Sequence, residues 1–161
     1  MNRIALVGAG LVGTSWAVVF AKAGLRVTLF DASRTSAEAA LISARAICAD
    51  LRQQELLGGQ SVDEVLERIV LADSLAAAVS EADYVQESAP ERLSVKKDLY
   101  QQMAGLVRSD AVIASSTSGL PASSFTEDIT GRERCIVCHP INPPHLIPLV
   151  ELVPADWADR L

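Results

Sequence analysis

Apolar residues fall in short blocks punctuated by glycine, aspartate and serine, and the blocks alternate between strand and helix lengths. Arg3 to Val7 reads as a buried strand ended by a glycine cluster, and Leu11 to Ala23 as a helix closed by Gly24 in a left-handed cap. Arg26 to Phe30 is a second strand, stopped by Asp31. Thr35-Ser36-Ala37-Glu38 has capping-box spacing and predicts a long helix to about Gln54. After Gly58-Gly59, Ser61 to Glu64 repeats that pattern and opens a short helix to Arg68. Ile69 to Ala72 is a third strand, followed by a helix capped by Asp73 and running through Ser80.

Further strands are predicted at Asp83–Glu87, Ala111–Ser115, Arg134–His139 and Pro148–Val153, with helices at Leu93–Val107 and Pro121–Phe125. Prolines bracket the last strand and place it on an edge. Strands alternating with helices specify a doubly wound, mostly parallel sheet with helices on both faces. Pro154 to Leu161 reads as the first turn of another helix, so residues 1–161 are expected to be one domain that stops before its last strand.

Composition narrows the chemistry. Half the chain is apolar but only 4% is aromatic, which suits aliphatic helices packed on a parallel sheet. The net charge of −6, with lysines only at 22, 96 and 97, excludes a phosphate-binding nucleic-acid surface. No stretch approaches the ~20 apolar residues of a membrane span. An odd cysteine count and no export signal point to the cytosol.

Gly8-Ala9-Gly10-Leu11-Val12-Gly13 is G-x-G-x-x-G between a strand and a helix, the context in which the motif binds a dinucleotide. Gly8 permits the tight turn, Gly10 lets backbone approach a pyrophosphate, and Gly13 lets helix and strand pack closely. The Leu11–Val12 N–H groups at the helix start offer partial positive charge to phosphates. Asp31, at the end of the next strand, can accept bonds from both adenosine ribose hydroxyls and would repel a 2′-phosphate. NAD is therefore expected over NADP, with Arg34 the one nearby residue that argues the other way.

A second constellation lies at later strand ends. Ser118 follows the fifth strand, His139 and Asn142 follow the sixth, and Glu151 lies in the seventh. A histidine partnered by a carboxylate is a general base. Glu151 in the apolar run Val150 to Val153 calls for a partner, because a buried carboxylate without one is costly. Cys135-Ile136-Val137-Cys138-His139 also spells the c-type haem motif. On a strand, however, its cysteines face opposite ways, roughly 10 Å apart at ~3.3 Å per residue, which excludes a disulfide, haem attachment and a shared metal. No metal site is expected, and His145 reads as a loop residue.

In order, Val7–Gly13 with Asp31, Val85–Glu91, Ala114–Ser118, His139–Pro144 and Leu149–Val153 resemble the NAD-binding, Rossmann-type domain of the 3-hydroxyacyl-CoA dehydrogenase family. The resemblance implies a Ser, His and Glu active site at Ser118, His139 and Glu151. It also implies NAD contacts from Glu91, Lys96, Ser118 and Asn142, although by themselves Glu91 and Lys96 read as a solvated helix start. The His-Pro-Ile-Asn-Pro-Pro wording is closest to the branch that holds L-gulonate 3-dehydrogenase and lambda-crystallin. The helix from Thr35 to Gln54 carries no lysine for a CoA phosphate, which favours a free 3-hydroxy acid over a CoA thioester. A non-catalytic, crystallin-like NAD-binding role is the reading of another class. The family also has a helical C-terminal domain with an active-site Asn and most of a homodimer contact, so this stretch alone is expected to be nearly inactive.

Overall fold

The computed structural model describes residues 2–158. Seven strands form one sheet in the order β3-β2-β1-β4-β5-β6-β7. They are β1 (Arg3–Val7), β2 (Arg26–Phe30), β3 (Ile69–Leu71), β4 (Tyr84–Glu87), β5 (Val112–Ser115), β6 (Cys135–Pro140) and β7 (Val150–Pro154). All neighbouring pairs are parallel except β6 with β7, which is antiparallel. The helices are α1 (Leu11–Lys22), α2 (Arg34–Gln53), α3 (Val62–Leu66), α4 (Leu75–Val79), α5 (Leu93–Ala104) and α6 (Ser123–Thr126).

The two-residue period of a strand explains the two cores. Ile4 and Leu6 of β1 point into one apolar cluster with α1, α2 and α3, whereas Ala5 and Val7 point into another with α4, α5 and α6. Both sheet faces are therefore covered, as the apolar strands require. The same alternation sends Cys135 into the second cluster and Cys138 into the first. All three cysteines are free and buried, and burial raises the Cys135 thiol to about 12.

Element ends differ from the sequence pattern where side chains find other partners. The cap of α2 is Ser33, whose Oγ accepts the Ser36 N–H at 3.2 Å, and Glu38 accepts from Arg34 at 3.0 Å rather than closing a box at Thr35. Ser74, not Asp73, caps α4, because Asp73 accepts from Arg34 at 2.8 Å. The Ser61–Glu64 capping box is present. Helix α5 stops at Ala104, where Gly105 follows, instead of reaching Val107. Strand β7 starts two residues later than expected: Ile141 N–H still donates to the Leu149 carbonyl at 3.0 Å, but the Leu149 N–H turns back to the Ile147 carbonyl at 2.9 Å and leaves the pair incomplete. Ala158 N–H closes a turn on the Ala155 carbonyl at 2.9 Å, and the rest of the expected terminal helix lies outside the described residues.

The chain order reverses between β1 and β4, so the crevice above their carboxyl ends is the switch point where ligands sit in such sheets. Gly8 has φ +106°, and a Cβ there would meet the Ser88 carbonyl oxygen at 2.6 Å. A Cβ on Gly13 would stand 1.9 Å from the Gly8 carbonyl oxygen. Gly13→Ala therefore forces α1 off β1 and should cost about 1–3 kcal/mol or more of unfolding free energy, measured by urea denaturation.

Candidate active site

The turn after β1 begins the site. Gly10 is the extended residue that precedes α1, and the first turn of that 12-residue helix carries no acidic side chain. A Cβ built on Gly10 meets nothing within 4 Å, so it would stand in the open groove that a pyrophosphate needs. That groove, about 680 Å³, runs past Gly8, Gly10, Asp31 and Ser36 to Ser88 and Ala89. Asp31 Oδ2 accepts the Ala9 N–H at 2.8 Å and Oδ1 the Ser33 N–H at 2.9 Å. These bonds tie the ends of β1 and β2 together and fix the carboxylate at the groove rim. The residues fit an NAD adenosine half. Val12 lines a second cleft beyond Ser88, while Leu11 is 83% exposed and lines neither.

The second cleft, about 310 Å³, is bounded by Ser88 and Ala89 on one side and by Ser118, His139 and Asn142 on the other. Its floor is a buried ion pair. Lys96 Nζ donates to Glu87 Oε1 at 2.9 Å and Oε2 at 3.0 Å, and the two side chains are 1% and 0% exposed. Ser115 hydroxyl donates to Glu87 Oε2 at 2.5 Å and Ala89 N–H to Oε1 at 2.6 Å, so every Glu87 oxygen has more than one donor. Lys96 thus corrects the picture of a solvated helix start: its ammonium is below the cleft, 3.5 Å from Glu91 Oε2.

Glu91 organises the loop after β5. Its Oε1 accepts the Thr117 hydroxyl, the Ser118 N–H at 3.0 Å and the Gly119 N–H at 3.1 Å. Partial burial opposes its charge, but these bonds and Lys96 outweigh that and hold the carboxyl below its usual range. Ser118 itself is exposed and lines the cleft.

The antiparallel β6–β7 register sets His139 directly opposite Glu151. Cross-strand partners share a face, and His139 Nδ1 lies 2.8 Å from Glu151 Oε2. With Nδ1–H donating to the carboxylate, Nε2 is left as the acceptor. Glu151 does not owe its partner to burial, as the apolar run around it suggested: its side chain is 63% exposed on an edge strand. The buried carboxylate that needs a cation is Glu87. His145 sits in the β6–β7 loop, with Nδ1 3.0 Å from Ser15 Oγ on α1, and burial lowers its basicity.

The structure thus gathers Val12, Glu91, Lys96, Ser118, His139 and Asn142 around one cleft, with Glu151 behind His139. Gly8, Gly10 and Asp31 border the adjoining groove, and Gly13 lies under it at the helix–strand contact. Glu87, Gln86, Ser88 and Ser116 were missed by sequence reasoning. Gln86 and Glu87 carried a signal: two polar residues in a strand buried on both faces require internal partners.

Residues 3–160 match the family model "3-hydroxyacyl-CoA dehydrogenase, NAD binding domain". Lambda-crystallin of Oryctolagus cuniculus is 40% identical over 94% of the chain and 48% of its own length. An L-carnitine dehydrogenase of Streptomyces griseus is 40% identical over 99% of the chain and 49% of its own. The chain spans about half the length of these curated relatives. Among solved structures, FadB2 of M. tuberculosis superposes with a TM-score of 0.93 at 28% identity, covering 99% of the chain and 56% of FadB2.

Two substitutions separate support from binding. Lys96→Met leaves the Glu87 carboxylate buried without a cation and should cost about 3–5 kcal/mol in a denaturation experiment. Gly10→Ala should leave the melting temperature nearly unchanged yet weaken NADH binding by roughly tenfold or more in calorimetry, because its methyl occupies the groove.

Proposed function

This chain belongs to the 3-hydroxyacyl-CoA dehydrogenase family, and from that premise we propose that the whole protein oxidises the 3-hydroxyl of an L-3-hydroxy acid with NAD⁺. The observation that carries this is the 2.8 Å His139–Glu151 pair, with His139 lining the second cleft together with Ser118. His139 Nε2 accepts the hydroxyl proton of the substrate. Glu151 holds the imidazole as the Nδ1–H tautomer and stabilises the charge it gains. Ser118 Oγ hydrogen-bonds the reacting oxygen, and its loop is kept in place by the N–H donors that Glu91 accepts. Bound NAD⁺ supplies the acceptor for the hydride that leaves the same carbon. Asn142 and Glu91 flank the cofactor's nicotinamide end, and Lys96 acts from beneath by fixing Glu91 and Glu87.

A free hydroxy acid is the preferred substrate, with L-gulonate first. Two of the three arginines of α2 support this: Arg34 is engaged by Glu38 and Asp73 and Arg45 by Asp63, while Arg52 donates to the Gln60 carbonyl oxygen at 2.7 Å. The carnitine-oxidising relative adds L-carnitine to the same class, and 3-hydroxybutyryl-CoA represents the alternative. A non-catalytic, crystallin-like role is the contrasting function. The whole protein is proposed to be a homodimer.

The test is NADH formation by the full-length protein with L-gulonate, L-carnitine and 3-hydroxybutyryl-CoA in parallel. Turnover of a free acid with a higher kcat/KM than the thioester supports the reading; the reverse order assigns a CoA substrate, and no turnover with any of them favours the structural role. In the active protein, His139→Ala should lower kcat by about 10²–10⁴-fold while NADH affinity stays within twofold. Loss of NADH binding instead would remove His139 from the role of base.

A further inference from the structure

A polar chain that enters the crevice from inside the sheet is not used by the steps above. It begins at Tyr84 on β4, whose hydroxyl donates to Gln86 Oε1. Burial keeps the Tyr84 phenol protonated. The fully buried Gln86 amide can have only one orientation, because its Nε2 lies 3.1 Å from the Cys138 carbonyl oxygen, an obligate acceptor. Nε2 also donates to Ser116 Oγ at 2.7 Å. Trp16 on α1 donates its indole N–H to the same oxygen at 3.2 Å. Ser116 Oγ therefore has both lone pairs filled by groups that can only donate. Its own proton must go to Ser88 Oγ, 2.9 Å away. Ser88, having accepted, has its proton left over, and its only side-chain hydrogen bond among the described residues is the one to Ser116.

Ser88 lines both the 680 Å³ groove and the 310 Å³ cleft, where a dinucleotide must cross from one to the other. Its Cβ lies beside the glycine turn, 3.6 Å from where a Cβ on Gly13 would be. We propose that the Tyr84–Gln86–Ser116 chain, locked in direction by Trp16, makes Ser88 a fixed hydroxyl donor to an oxygen of the dinucleotide at this crossing. Ser88 is a cofactor-binding residue on this account, while Gln86, Ser116 and Trp16 are positioning residues. The inference rests on dinucleotide binding and is independent of the substrate.

Calorimetry on the full chain with NADH, ADP-ribose and AMP as probes tests it, since AMP fills only the adenosine groove. Ser88→Ala should weaken NADH and ADP-ribose by roughly five- to tenfold and leave AMP unchanged. Trp16→Phe frees one Ser116 lone pair, so Ser88 can turn its proton inward; NADH should weaken by about threefold, again with AMP unchanged. The double variant should bind NADH no worse than Ser88→Ala alone, the non-additivity expected of one chain. NADH affinity within twofold of wild type in Ser88→Ala, an equal loss for AMP, or additive effects in the double variant would each overturn the proposal. A wild-type chain that bound no NADH would overturn it together with the cofactor assignment, whereas binding without turnover of any hydroxy acid would count only against the substrate.

Discussion

The Glu87 carboxylate is the interaction on which the site depends. It stands at the carboxyl end of β4, next to the switch point, and is fully buried. A charge in that position is tolerated only when paired and hydrogen-bonded. Lys96 brings α5 to it, Ser115 brings the end of β5, and the Ala89 N–H brings the loop that separates the two parts of the crevice. One carboxylate thus sets the relative positions of three segments that border the crevice. Glu91 extends the same ammonium's influence to the surface and orders the Ser118 loop.

The proposed proton acceptor is built differently. His139 and Glu151 lie on the antiparallel pair at the sheet edge, where β7 is exposed along its length. An exposed imidazole–carboxylate hydrogen bond contributes little to stability, so this contact is free to serve orientation. His145 anchors the intervening loop to Ser15 of α1 and holds the edge hairpin over the glycine turn. The buried centre therefore shapes the crevice, and the edge hairpin carries the proposed base.

Much of this was legible along the chain. The alternation Ile4, Ala5, Leu6, Val7 already implied two covered faces, and Gly8-x-Gly10-x-x-Gly13 with Asp31 marked the groove, because both rest on local backbone geometry. The Cys135–Cys138 separation followed from strand period alone. Helix starts were less legible: Glu38 and Asp73 fit local caps, yet both were drawn to Arg34, 4 and 39 residues away from it respectively. Lys96 looked like a solvated residue because its partner, Glu87, belongs to the preceding strand and only the packing of α5 buries the pair.

The sequence by itself determined the alternating elements, the parallel sheet and the glycine turn, since each depends on residue spacing within one segment, and its resemblance to a family named His139 and Glu151 as the candidate pair. Only the tertiary structure decided which polar residues are buried together. Gln86, Ser88 and Ser116 lie on different strands and loops, and Trp16 on a helix about a hundred positions from Ser116; strand order, not sequence distance, makes them neighbours. The direction of a hydrogen-bonded chain depends on every donor and acceptor in it at once, and that information exists only after the chain has folded.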